Sequence, residues 1–479
     1  MKKENGYLTV YMALCISVIL SLCLTMIEGA RRNGAAMEAA CVADIGLQSV
    51  FAEYHRQLLE QYNLFAIDSS YGTTESGTYN TEAHLLYYME KNLDMEDVFL
   101  SSFFYRDFLG LRVDGVEVTG VSILTDENGA VFRRRAAEAI QDDIGLSALT
   151  ELSEWLETIE VNGLDAVKTQ QEKAEVDKRI SEYEYEDEEG EQHVGVTNPT
   201  TVLEEKRRLG ILKQVVQDES RLSQNTLDTS DLIYERMQQG KISQGNLALE
   251  ESDWAEELVE RFFFQEYLLH YMGRYGKEDE KDALRYQIEY LVVGKENDTD
   301  NLRGVANRIC ALREAANAAY LFSDSEKRLE VELAAGVISS VIALPAIAPV
   351  LEIAMILGWA YAESVYDVKT LFSGGRIPLM KDRNSWHYGL ETALSGELQD
   401  STGEGSGMSY EDYLRVFMML TRLEKLTGRA MNMVEADMRM TEGNTAFCLD
   451  SCYDCVEFDI RMSSSFGYKY QLIRKRAYD

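Results

Sequence analysis

The most prominent feature of the hydrophobic pattern is an uncharged apolar run over residues 8–27, which follows Lys2 and Lys3. Twenty helical residues rise about 30 Å, which is the thickness of the hydrocarbon core of a bilayer. The run contains no charged side chain that would oppose insertion. We therefore predict an N-terminal membrane anchor over residues 1–33, through which the chain binds the membrane.

Two cleaved alternatives compete with a retained anchor. A secretory signal peptide has an apolar core of only about 7–15 residues followed by small residues at the cleavage site. Here the core is longer and is followed by the polar residues 28–32. A lipoprotein would place a small residue directly before a cysteine at the end of the core, but Cys15 and Cys23 lie inside it and Cys41 lies beyond it. The sequence favours the retained anchor.

Charge alone does not fix the orientation of this anchor, because Lys2 and Lys3 on one side are balanced by Arg31 and Arg32 on the other. Long domains cross a membrane largely regardless of their charge, whereas a short basic segment tends to stay in the cytoplasm. We therefore expect a single-pass protein of the cell membrane with its C-terminal domain outside the cytoplasm.

A second apolar stretch, residues 333–362, contains one charge, Glu352, and is interrupted by Pro345 and Pro349. Each half alone is too short to cross a bilayer, although the whole stretch is long enough. Proline ends or kinks a helix, so the pattern favours two helices that meet at a corner and pack in the protein interior. Membrane insertion of this stretch is the alternative.

The remaining pattern predicts an α+β fold that is predominantly helical, with a small antiparallel sheet. Apolar residues recur at helical spacing from the anchor to about Tyr62, which predicts a continuous helix. Residues 64–68, 113–123 and 456–462 are predicted to be strands, and residues 466–473 to be a strand that pairs with the last of them. We assign the following domains: the anchor, 1–33; an extended helix with strands of the core, 34–130; a large helical insertion with the buried apolar hairpin 333–362, 131–440; and C-terminal strands that return to the sheet, 441–479.

Composition narrows the choice of partners. The 479 residues include 82 acidic and 47 basic ones, a net charge of −35, and 46% are hydrophobic. Such a chain has enough apolar residues for a sizeable core. The acidic charge argues against nucleic acid, so we predict no nucleic acid as a partner, because phosphate binding requires clustered Lys and Arg.

Motifs of common hydrolases, zinc peptidases and nucleotide-binding proteins are absent from the sequence, and its five histidines are widely separated. We therefore predict no catalytic, cofactor-binding or metal-binding residue, and a protein that is not an enzyme. The alternative is an extracellular hydrolase that uses two carboxylates, as glycoside hydrolases do. With 82 Asp and Glu residues, the sequence does not locate such a pair.

One cysteine pattern, Cys448, Cys452 and Cys455, has the spacing of the iron–sulfur motif of radical S-adenosylmethionine enzymes. That family usually has an aromatic residue where this chain has Asp454, and its barrel would not fit in residues 456–479. A zinc site would need a fourth ligand. We interpret the three cysteines as small, half-buried side chains on a strand and turn, with a Cys452–Cys455 disulfide as an option.

Several segments resemble a known family. Residues 6–11, Gly-Tyr-Leu-Thr-Val-Tyr before an apolar helix, resemble the start of the pilin-like subunits of tight-adherence (Tad) pili. The rest of the chain resembles an uncharacterised family of anchored proteins from Gram-positive bacteria whose genes accompany those pilus genes. The segments that carry this second resemblance are residues 28–31, 51–54, 286–290 with 294–295, 359–364 and 374–379.

The resemblance implies a setting rather than a reaction. It implies cleavage between Gly6 and Tyr7, a minor pilin-like or assembly-accessory role, and Tad pilins or proteins of their assembly platform as partners. Pilins usually carry a glutamate five residues after the cleaved glycine, where this chain has Tyr11. That carboxylate neutralises the N-terminal amine of a neighbouring subunit, and an unpaired buried charge is costly. Tyr11 therefore argues against a polymerising major subunit.

Overall fold

The computed structural model describes residues 5–94, 109–142, 144–145, 147–186, 191–216, 218–248, 257–397 and 405–478. The chain divides into two compact units. The sheet unit comprises residues 1–135, 235–253 and 438–479, and the helical unit comprises residues 136–234 and 254–437. The α+β, predominantly helical fold with an N-terminal apolar helix and small antiparallel sheets, predicted from the sequence, is confirmed.

The first part of the chain contains the following helices and strands: α1 Asn5–Phe51, α2 Arg56–Tyr62, β1 Ile67–Asp68, α3 Thr78–Leu93, β2 Leu111–Ile123, α4 Asp126–Gln141, α5 Ser147–Val161, α6 Ala166–Ser181, β3 Glu184–Glu186, β4 Gln192–Val194, α7 Thr201–Leu209, α8 Ile211–Val215 and α9 Ile233–Gln238.

The second part continues with these helices and strands: α10 Glu257–Tyr271, α11 Gln287–Val293, α12 Asp298–Ser323, α13 Ser325–Val341, α14 Ala348–Phe372, α15 Leu390–Ser395, α16 Tyr410–Leu420, α17 Leu423–Met440, β5 Cys452–Ser464 and β6 Lys469–Ala477. Short 3₁₀ turns lie at Glu219–Arg221, Pro345–Ile347 and Leu449–Ser451.

Helix α1 has two parts with opposite surroundings. In its apolar N-terminal part, the side chains of residues 7–27 are almost all exposed within the described structure. Beyond residue 34, a stripe at helical spacing is buried against the rest of the sheet unit; its members are Ala35, Ala39, Val42, Ala43, Leu47 and Val50. Gly46 lies where a Cβ atom would come within 2.9 Å of the Leu85 and Met89 side chains, so glycine allows α3 to pack closely on α1.

The long strand β5 is the centre of the main sheet. It pairs antiparallel with β1, β2 and β6. Apolar residues of β5 and β2 lie opposite each other, as in the pairs Val121–Val456 and Val118–Phe458. These residues form one core cluster with the buried stripe of α1, so the C-terminal strands return to the N-terminal helix. The predicted strands are confirmed as β1, β2, β5 and β6, although β1 is limited to Ile67–Asp68 instead of residues 64–68.

The prediction of one unbroken helix to about Tyr62 is wrong. Helix α1 ends at Phe51, and α2 is a separate helix. The His55 Nδ1 atom accepts a hydrogen bond from the Leu58 backbone N–H at 3.1 Å and caps the start of α2. Asn63, with a φ of 51°, ends α2 in the left-handed conformation. Leu58 and Tyr62 of α2 are also buried, so the apolar spacing continues across this break.

In the helical unit, α12 and α14 are long, extensively buried helices that pack against each other. Trp359 on α14 is fully buried, and its Nε1–H donates to the Tyr388 backbone oxygen at 2.9 Å. This bond joins α14 to the loop that follows it. The short helix α11 is almost entirely buried in the same unit.

Residues 333–362 form the end of α13, the 3₁₀ turn at Pro345–Ile347 and the first part of α14. The two arms differ in burial. Among the described residues, two helices are long and apolar enough to span a membrane: Tyr7–Phe51, with an apolar window that is 0% buried, and Pro345–Phe372, with one that is 67% buried. Helix α13 is more exposed than α14, because Leu333, Val337 and Val341 form an exposed row along it.

Candidate functional site

The predicted processing site lies at the start of α1. Gly6 is in the first helical turn, and the Tyr7 side chain is 83% exposed. Tyr11, at the position where pilins carry glutamate, is also exposed on the apolar part of the helix. Cleavage between Gly6 and Tyr7 stays a prediction.

The three C-terminal cysteines lie around the start of β5. Cys448 is half-buried, whereas Cys452 and Cys455 are buried. The Cys452 thiol is directed at the Cys448 backbone oxygen, with a sulfur–oxygen distance of 3.8 Å. In the structure the seven cysteines are not joined by disulfides, so the optional Cys452–Cys455 bond is not formed there.

Each of the five histidines has a separate structural partner. The contacts are His55 with Leu58 N (3.1 Å), His84 with Glu53 Oε2 (2.9 Å), and, between ring centroids, His193 with Tyr185 (5.3 Å), His270 with Tyr271 (4.7 Å) and His387 with Tyr366 (3.9 Å). Within the described residues, no group of three or more His, Cys, Asp or Glu side chains is arranged to hold a metal ion.

The structure reveals a buried ion network in the helical unit that the sequence did not predict. Glu363 and Asp367 lie one turn apart on α14, and both are fully buried. Arg313 on α12 donates from Nε to Asp367 Oδ2 at 2.9 Å. Lys381 Nζ contacts Glu363 Oε1 and, at 2.6 Å, Asp367 Oδ1. Two cations thus face two carboxylates.

Backbone groups complete this network. Arg313 Nη1 donates to the Pro378 and Leu379 oxygens at 2.9 and 2.6 Å. Glu363 accepts from the backbone N–H groups of His387 and Tyr388, both at 2.9 Å. Burial opposes ionisation of Asp367, but the Arg313 and Lys381 charges outweigh it and hold the pKa of that carboxyl below its usual value. The network therefore fixes the chain after α14 against α12 and α14.

A cleft of about 520 Å³ lies in the helical unit and has aromatic walls. The Tyr275 ring lies 4.8 Å from Phe372 and 6.0 Å from Tyr286, centroid to centroid, and all three line the cleft. Its charged lining residues are Asp218, Arg221, Glu278 and Lys369. Aromatic walls with a few polar groups are typical of small-molecule sites.

Glu289 is fully buried behind these aromatic residues. Its Oε1 accepts from the Tyr410 hydroxyl at 2.7 Å and from the Tyr275 backbone N–H at 3.0 Å. Within the described residues, Oε2 has no hydrogen-bond partner. Burial raises the pKa of Glu289 to about 7, although the bonds from Tyr410 and Tyr275 oppose that shift.

The carboxylates that line the cleft are held by their own turns. Asp218 accepts from the Ser220 backbone N–H at 3.0 Å and from its hydroxyl at 2.6 Å, and these bonds lower the pKa of Asp218. Glu278 accepts from the Gly276 backbone N–H at 3.1 Å. Both groups thus have local structural roles, and their bonds do not define an acid and base pair.

A signal for the buried acids was present in the sequence. Glu289 and Glu363 each interrupt an apolar helical segment, and a charge in such a segment must be paired or hydrogen-bonded when the segment is buried. Arg313 and Lys381 offered no comparable signal, because only the folded chain brings them to the carboxylates.

Comparison with protein families identifies the family of this chain. Residues 187–464, more than half of the chain, match the model of a family of unknown function, DUF5702. The chain belongs to this family. The matched residues of DUF5702 include the buried ion network, the aromatic cleft and β5, but they do not include the apolar part of α1. Comparisons with curated proteins and with solved structures give no match.

Proposed function

We propose that this DUF5702 protein is a membrane-anchored, extracytoplasmic component of a Tad-type pilus or adhesion system in a Gram-positive bacterium, with a minor pilin-like or assembly-accessory role. The observation that carries the proposal is the division of α1 into two parts. The exposed apolar part has the length and composition of a membrane span, while the part beyond residue 34 packs on an antiparallel sheet. A single helix thereby joins the anchor rigidly to the sheet unit.

The position of Tyr11 supports an accessory role over a polymerising one. A carboxylate at this place would meet the N-terminal amine of a neighbouring subunit in the apolar core of a filament. Tyr11 is exposed on the span and supplies no such charge. A chain of this kind contacts pilins or the assembly platform without forming the filament itself.

The helical unit fits a binding role better than catalysis. Its cleft has aromatic walls, but Asp218 and Glu278 are engaged in their own turns, and Glu289 is buried behind Tyr275. A glycoside hydrolase needs two carboxyl groups on opposite sides of the scissile bond. The extracellular hydrolase remains the second candidate, and this aromatic cleft is where its site would lie.

Substitution of Gly6 tests the predicted processing. A prepilin peptidase is expected to remove residues 1–6 and leave Tyr7 at the N-terminus. The change Gly6→Leu is expected to block removal, because a bulky side chain crowds the bond that is cut. N-terminal sequencing of the purified protein reads the result, with Gly29→Leu as the control, since Gly29 lies on an open helix face. An unprocessed wild-type N-terminus would remove the cleavage hypothesis.

Association with pili is tested by co-purification. The full-length protein, cross-linked in cells and extracted in detergent, is expected to co-purify with Tad pilins or their membrane platform. Deletion of its gene is expected to change pilus number or adhesion. Unaltered pili together with no co-purification would contradict the pilus role, while leaving the membrane anchor untouched.

A further inference from the structure

Strand β6 runs alongside α1 and in the same direction. Alternate side chains from Tyr468 to Tyr478 face α1. Their contacts lie at successive positions along the helix, from its residue 28 to its residue 51. They are Tyr468 Oη to Glu28 Oε1, Tyr470 Oη to the Arg32 oxygen (3.1 Å), Arg474 Nε to Asp44 Oδ1 (2.9 Å) and Tyr478 Oη to the Phe51 oxygen (2.8 Å).

The lengths of the two elements agree with this ladder. From Tyr468 to Tyr478 an extended strand rises about 33 Å. From Glu28 to Phe51 a helix rises about 34 Å. The start of β6 is therefore fixed at the level where the apolar run of α1 ends.

This level can be placed relative to a bilayer. The apolar run ends at residue 27, and residues 28–32 rise about 7 Å above it. A headgroup layer is about 5–7 Å thick on each side of the hydrocarbon core. The β5–β6 turn, residues 465–468, contacts α1 within these five residues, because the Arg31 guanidinium carbon lies 4.0 Å from the Phe466 ring centroid.

The side chains at this level suit a headgroup layer. Phe466 presents an apolar ring that is 45% exposed at this turn. Aromatic residues are enriched where a membrane meets water. Arg31, Arg32 and Lys469 supply positive charges near this level, where Glu28 supplies a carboxylate, in a chain whose net charge is −35. Guanidinium groups bind phosphate with paired hydrogen bonds.

We propose that the β5–β6 turn and residues 28–32 form a second membrane contact, in which Phe466 enters the headgroup layer and Arg31 and Arg32 bind the phosphates of acidic phospholipids. The contact rests on the retained anchor of the proposed function. It holds the sheet unit against the membrane surface and limits rotation about α1. The contact is continuous with the membrane span itself, so the occupant is the bilayer that holds the anchor.

The experiment uses the full-length chain in vesicles. The photoreactive residue p-benzoylphenylalanine replaces Phe466 in one variant and Ile473 in the control. Ile473 is 62% exposed on β6 and lies about 16 Å further along the strand than Tyr468. Vesicles contain phosphatidylcholine, with or without phosphatidylglycerol, and a radiolabelled phospholipid. We expect lipid adducts at position 466 and no lipid adducts at position 473.

Two further substitutions test whether Arg31 and Arg32 bind lipid phosphates. Arg31→Gln with Arg32→Gln is expected to lower the adduct yield at position 466 in phosphatidylglycerol vesicles and to leave it unchanged in phosphatidylcholine alone. Equal yields at 466 and 473, or adducts to protein instead of lipid at 466, would overturn the proposal. Slower amide hydrogen exchange of residues 465–469 in vesicles than in detergent is expected for the unmodified chain, and equal exchange would count against the contact.

Failure of this contact is distinguishable from failure of the anchor. Alkaline carbonate extracts proteins that lack a membrane span. If the chain resists extraction but forms no lipid adduct at position 466, the second contact is wrong and the anchor stands. If carbonate releases the chain, the anchor itself is wrong.

Discussion

Lys381→Met is expected to destabilise the helical unit by about 3–5 kcal/mol, the cost of leaving buried charges without a partner. Lys381 faces both Glu363 and Asp367, and all three side chains are almost completely buried. Methionine fills a similar volume but leaves Glu363 without its cation, while Asp367 keeps Arg313. Equilibrium urea denaturation of the detergent-solubilised protein, followed by helical circular dichroism, measures the change in the free energy of unfolding.

Two further variants check the interpretation of this result. Arg221→Met removes a cation whose side chain is 86% exposed, and such a change is expected to cost less than about 0.5 kcal/mol. The double variant Glu363→Gln with Lys381→Met removes one charge of each sign and is expected to recover part of the loss. A Lys381→Met protein as stable as the wild type would show that the buried network does not hold the unit together.

Glu289→Gln is expected to change how stability depends on pH. The pKa of Glu289 is about 7 in the folded chain, against 4.5 ordinarily. Between these values the folded chain keeps a proton that the unfolded chain has released, so the stability of the wild type falls as pH rises through this window. The full cost above pH 7 is about 3 kcal/mol. Glutamine carries no charge and removes this cost.

Urea denaturation at several pH values measures this effect. The stability difference between Glu289→Gln and wild type is expected to grow in favour of the variant by about 3 kcal/mol from pH 4.5 to pH 8.5. A buried amide without a partner adds an offset that does not depend on pH. Glu278→Gln, at an exposed carboxylate of the cleft, is the control. A pH-independent difference for Glu289→Gln would contradict the assigned burial.

The parts of the fold that follow local periodicity were predictable. The apolar run, the alternating strands and the proline-broken corner at residues 345–349 all appear in the structure near their expected positions. The break between α1 and α2 was not predictable, because a histidine cap is not distinguished from other polar residues by the hydrophobic pattern.

The candidate sites were largely beyond the reach of the sequence. Arg313 and Lys381 are separated by 68 residues and meet the same carboxylate only through the packing of α12 and α14 and the chain that follows. Likewise, the contact of Phe466 with Arg31 joins opposite ends of the chain. Such pairs depend on tertiary structure, whereas Glu289 and Glu363 were visible as charges within apolar segments.

The most direct measurement of the central claim is protease accessibility on intact, wall-stripped cells. A C-terminal epitope tag follows the chain, and permeabilised cells provide the control. We expect protease added outside to destroy the tag and the region from about residue 34 onward, and we expect the undigested protein to resist alkaline carbonate extraction. A tag that is protected until the cells are permeabilised would contradict an anchored protein whose folded part lies outside the cytoplasm.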